Sequence, residues 1–125
     1  MIKKIILPKE LIEDLFKDFL IGPILDNGDR YLTEAKFPEK IDGILAVSVF
    51  PKEQEPPHFR VDYQGENARF NLETGDPMDQ LAPKIKRYKN NIKIWFEKHK
   101  REIQDFYLKY RPTNASPVSL LSGCS

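Results

Sequence analysis

His58, Arg60 and Asp62 alternate along the stretch His58-Phe59-Arg60-Val61-Asp62-Tyr63, so a strand there places all three polar side chains on one face. An imidazole with a carboxylate neighbour can serve as a general base, and an arginine can hold a phosphate. The trio therefore has the composition needed for phosphodiester cleavage. Pro56 and Pro57, just before it, restrict the approach of the chain to the histidine. The plainer reading, a stiffened loop end and an ordinary exposed polar strand face, outweighs catalysis. His99 falls between Trp95 and Ile103 at helical spacing and reads as a packed, hydrogen-bonded histidine. Two histidines and the single Cys124 offer neither zinc spacing nor a His-Glu-x-x-His helix. No metal is expected, and no nucleotide-binding glycine pattern implies a cofactor.

The second candidate is electrostatic. Net charge is only +1, yet residues 1–51 carry 7 basic and 9 acidic side chains, residues 52–79 carry 3 and 7, and residues 84–111 carry 10 and 3. The basic block, with Lys84, Lys86, Arg87, Lys89 and Lys93 at its start and Tyr88 and Trp95 interleaved, has the makings of a phosphate-backbone contact or of a surface for a partner protein. The bland alternative is a solvated helix face balanced by the acidic blocks. Trp95 and the tyrosines fall on an apolar stripe and read as core rather than as stacking platforms.

These residues need elements to hold them. Pro8 to Leu20 has apolar side chains at Leu11, Leu15, Phe16 and Phe19 and predicts a first helix ended by Gly22-Pro23. Asp26-Asn27-Gly28-Asp29 is a turn signal, and the alternation from Tyr31 to Phe37 permits a short strand. Ile44 to Phe50 is β-branched and apolar and predicts a central strand. His58–Tyr63 and Ala68–Glu73 alternate on either side of a glycine-bearing connector and predict a hairpin with Phe59, Val61, Tyr63, Ala68, Phe70 and Leu72 inward. From Pro83 to Tyr110 apolar residues recur every three or four positions, a long amphipathic helix with a break or kink predicted at Asn90-Asn91. The expected fold class is α+β: a three-stranded, or four-stranded, antiparallel sheet packed by the C-terminal helix, with an extra N-terminal helix. Residues 1–42 read as an extension, 43–111 as the core domain and 112–125 as a flexible, uncharged tail carrying Cys124. No apolar run reaches the roughly 20 residues of a spanning helix, and the N-terminal apolar stretch is too short for a secretory signal, so a cytoplasmic protein is expected.

Three separated blocks carry a resemblance. Glu55-Pro56-Pro57-His58-Phe59-Arg60-Val61-Asp62-Tyr63, then Ala68-Arg69-Phe70-Asn71-Leu72-Glu73-Thr74-Gly75, then Trp95-Phe96-Glu97-Lys98-His99-Lys100-Arg101-Glu102-Ile103 resemble, in order and spacing, the small proteins grouped as domain of unknown function 4160. The likeness spans about residues 43–110. It carries no established activity; it implies a bacterial origin and, more loosely, membership of small gene pairs of the toxin and antitoxin type. Where the family pattern places a second histidine, this chain has Arg60. Three functions follow in order: a module that docks a cognate partner protein, an RNA- or DNA-binding protein using the basic helix, and a small ribonuclease using His58. Oligomeric state is left open.

Overall fold

The structure is a computed structural model that describes residues 4–30, 44–51 and 56–111. The strand expected from Tyr31 to Phe37 and the tail with Cys124 lie outside them. In chain order the elements are β1 (Ile5–Ile6), α1 (Lys9–Ile21), β2 (Leu45–Val49), β3 (His58–Tyr63), β4 (Glu66–Asn71), α2 (Pro83–Arg87) and α3 (Lys89–Lys109). The strands form one antiparallel sheet in the order β1-β2-β3-β4. The fourth strand comes from the N-terminus.

The hairpin sets the register. Gln64 and Gly65 both have positive φ, 48° and 85°, the conformation that matches a two-residue turn to the twist of its strands. β4 therefore begins at Glu66, two residues earlier than alternation alone suggests. Phe59 then lies opposite both Val49 and Phe70, and Val61 opposite Val47 and Ala68, all buried on one face. Both helical layers cover that face. Phe96 of α3 stacks on Phe59 at 5.3 Å, Gln104 donates to the carbonyl of Leu72 at 2.9 Å, and α1 packs against α3 and β2.

α1 buries Leu11, Ile12, Leu15, Phe16 and Phe19 in the same apolar cluster as the sheet. The Trp95 indole N–H donates to the carbonyl of Leu11 at 2.9 Å, which satisfies the one polar atom of a buried ring. The free edge of β2 is covered by β1, extended by a bond from Leu7 N to Val47 O at 2.9 Å. The opposite edge is closed by the return of the chain after the hairpin: Pro77 bridges to Phe70, Met78 N donates to Arg69 O at 2.8 Å, and Asn71 N donates to Asp76 O at 2.8 Å. Among the described residues, that leaves little unpaired strand for a partner to extend.

The predicted single helix is two. Tyr88, at φ −108° and ψ 17°, separates α2 from α3, and His99, at φ −111° and ψ 15°, kinks α3. Asn90 and Asn91 are not the break but a tie between distant segments. The buried Asn91 side chain accepts from Ile24 N at 2.7 Å and donates to Asp18 Oδ2 at 2.7 Å and Gly22 O at 3.0 Å. Asn90 donates to Ile24 O and Asp26 Oδ1, each at 2.9 Å. Among the described residues no helix is long and apolar enough to cross a membrane.

Candidate functional site

β3 does carry His58, Arg60 and Asp62 on the face turned away from the helices, but not as an exposed catalytic trio. His58 is only 3% exposed. Its ring stacks on Phe50 at 5.4 Å, and Nδ1 lies 3.0 Å from the carbonyl of Pro56. A carbonyl only accepts, so Nδ1 carries the proton and the ring is pinned to its own loop. Arg60 lies over the same Phe50 ring at 5.3 Å, and its Nε donates to Asp62 at 3.1 Å. The carboxylate thus serves the arginine rather than the histidine. Strand geometry enforces this, because positions 58 and 62 are about 13 Å apart along a strand rising 3.3 Å per residue. The expectation of an exposed His58 is corrected, and so is the choice of Asp62 as its neighbour; the carboxyl that His58 influences is that of Asp79.

Arg69 sits directly opposite Arg60, a like-charged cross-strand pair that would be unfavourable alone. Each guanidinium has its own carboxylate. Asp79 accepts from Arg69 Nη2 at 2.8 Å and from the Arg69 backbone N–H at 2.8 Å. This bond to Arg69 holds the Asp79 carboxyl below the usual aspartate range, against the opposing effect of burial. Sequence reading missed Asp79, which is ten residues from Arg69 in a segment with no periodic signal.

The predicted basic surface is partly neutralised within the chain. Lys89 pairs with Asp26 at 3.5 Å, Lys93 with Asp76 at 2.6 Å and Lys98 with Asp14 at 3.4 Å. Lys84 donates to the carbonyl of Gln64 at 3.1 Å. Arg87 lies over the Tyr88 ring at 5.8 Å, while Lys86 is exposed with no ion pair among the described residues. Tyr88 and Trp95 are buried, so neither presents a face to a nucleobase. The balanced-helix reading therefore accounts for Lys89, Lys93 and Lys98.

His99 lies between the helices, with Nε2 2.8 Å from Asp14 of α1 and Nδ1 3.2 Å from Glu102. It is packed and hydrogen-bonded as its spacing suggested. The hydrogen bond to His99, followed by the influence of Lys98, lowers the Asp14 carboxyl below its usual range. Asp76 is lowered in the same way by its bond to Lys93. Among the described residues, no group of three His, Cys, Asp or Glu side chains is placed to hold a metal ion.

Asp26 is lowered as well, by its bond to Asn90 and the nearby Lys89, and the four depressed carboxyls set a pH dependence. A group whose folded pKa lies below its unfolded value stabilises the fold at pH above the unfolded value and loses that contribution as pH falls through the folded one. The urea midpoint is thus expected to fall as pH drops from about 5 towards 2, and Asp79→Asn to flatten part of that decline. A midpoint constant across that range would refute the assignment.

The blocks that first drew attention have structural roles. Pro57 O accepts Leu72 N at 3.0 Å, so the double proline anchors the far end of the hairpin. In the Glu73-Thr74-Gly75 turn, Asn71 Oδ1 accepts the N–H groups of Glu73 and Thr74 at 2.7 and 3.1 Å. Gly75 has φ 78°, and a Cβ there would meet Phe96 Cδ2 at 2.7 Å, so only glycine lets the turn lie against α3. No curated protein and no solved structure matches the chain. Residues 44–107, from the start of β2 into the last turn of α3, match the family described as Domain of unknown function (DUF4160), and the chain belongs to it.

Proposed function

We propose that the protein is an interaction module that docks a cognate partner protein, one half of a small gene pair of the toxin and antitoxin type. The observation that carries this reading is a set of large apolar side chains left in solvent where α1 meets α3: Ile21, Leu25 and Ile94 are 48%, 46% and 51% exposed. Asn90 and Asn91 fasten Ile24 to α3, so Ile21 and Leu25 flank the fastened residue and Ile94 follows one helical turn later. Large apolar side chains exposed near one junction of the fold are the kind of surface by which proteins dock. His58 is buried and Asp62 is bonded to Arg60, so the geometry supports the docking reading better than a ribonuclease.

Co-expression with the product of the adjacent reading frame tests the proposal. The two chains are expected to co-elute, and Ile94→Asp to abolish co-elution while leaving the unfolding free energy within about 0.5 kcal/mol of the parent, as for other exposed positions. Failure of the parent protein to co-elute would sink it. A nucleic-acid reading rests on Lys86, Arg87, Lys100 and Arg101, which make no ion pair among the described residues. Salt-sensitive retention on heparin, lost in a Lys86→Glu, Arg87→Glu double variant, would favour it instead.

A further inference from the structure

We infer that a cleft between the first turn of α1 and the last turns of α3 is a docking groove for a cationic, amphipathic segment of a partner protein. The inference rests on the interaction-module reading but not on the Ile94 surface. The cleft encloses about 540 Å³, and its apolar lining is Pro8, Leu11 and Phe106. Phe106 extends the apolar surface outwards by packing edge-on against the exposed Tyr110 at 5.1 Å. Around this floor stand the carboxylates Glu10, Glu102 and Asp105. The one cation on the rim, Lys109, is drawn over the Tyr110 ring at 5.5 Å.

The state of those carboxylates identifies the occupant. Five acids outside the cleft, Asp14, Asp18, Asp62, Asp76 and Asp79, each meet a cationic side chain of the same chain within 3.4 Å. Glu10 and Asp105 meet no partner among the described residues, although unpaired basic side chains are plentiful on α3. An apolar floor whose rim carries three carboxylates against one lysine, two of them without a partner, is complementary to a helix or strand with an apolar stripe and flanking Lys or Arg residues. Residues 113–125 of this chain carry no charge and lack that complement.

A synthetic helix with leucine at i, i+3, i+4 and i+7 and lysine elsewhere is the probe, measured by fluorescence anisotropy against the full chain. It is expected to bind with an affinity that weakens as salt rises. Phe106→Ala and a Glu10→Gln, Asp105→Asn double variant should each weaken binding at least ten-fold, whereas Ile94→Asp should leave it unchanged. The two neutralising changes are at exposed positions and keep the test valid if Phe106→Ala is unstable. Absence of binding, equal binding of a lysine peptide with serine in place of leucine, or indifference to Asp105→Asn would overturn the groove. So would release of a self-associated form by the double variant, which would make a second copy the occupant, or a ten-fold gain on deleting residues 112–125, which would make it the chain's own tail. Loss of the groove with continued co-elution of the neighbouring product would leave the interaction module standing.

Discussion

Phe59→Ala is expected to lower the unfolding free energy by about 3–5 kcal/mol. Three aromatic rings pack on this one: Phe59 stacks on Phe70 at 5.4 Å and on Phe96 at 5.3 Å, and meets Trp95 edge-on at 5.9 Å. It is wholly buried in β3, so truncation removes apolar burial and leaves a cavity between the hairpin and α3. A domain of this size is stable by about 5–15 kcal/mol, so the loss consumes much of the margin. Urea denaturation gives the number. A change below about 1 kcal/mol would mean that the core can collapse around the gap, contrary to the close packing of protein interiors.

Asn91→Leu is expected to cost roughly 3 kcal/mol by a different route. The substitution adds apolar surface in a buried position, which by itself would stabilise. It also strands the N–H of Ile24, which donates to Asn91 Oδ1 at 2.7 Å, and removes one of the donors to Asp18 and to Gly22 O. Each buried group left without a partner costs about 1–3 kcal/mol, which exceeds the gain. Asp18 keeps Arg30 Nη2 at 2.7 Å and Gly22 O keeps Arg30 Nη1 at 3.0 Å, so the stranded Ile24 N–H carries the cost. Amide exchange locates the effect: the Ile24 N–H should lose protection in Asn91→Leu and keep it in Asn90→Ala. Unchanged protection at Ile24 would show that the tie contributes nothing.

Local periodicity carried the fold a long way. Period-two alternation placed Phe59 and Val61 inward and His58, Arg60 and Asp62 together on the other face, and the three-to-four spacing from Ile85 to Tyr107 located the buried side of the C-terminal helices. What it could not show was what lies across from each face. His58 is covered because Phe50, the residue before the Pro51 turn, stacks on it; that contact depends on the register of β2 against β3 rather than on any local pattern. Asn90-Asn91 read as poor helix formers, which is true of isolated helices, but their acceptors and donors lie more than 60 residues away. The same limit applies to charge. Block sums revealed a polarised sequence, yet the partners of Lys89, Lys93 and Lys98 come from three different segments that only the fold brings together. The rise per residue along a strand was legible from the start, and it was already enough to separate His58 from Asp62.

The tie between Trp95 and Leu11 bears on what counts as a unit of this protein. The family match begins at residue 44, yet the acceptor for the Trp95 indole and the groups held by Asn91 come from residues 11–24. A fragment cut at the boundaries of sequence kinship would keep these two side chains and lose everything they bind, exposing the flank of α3 that α1 now covers. Kinship and foldability therefore have different borders here, and the earlier segment belongs to the second even though it is outside the first.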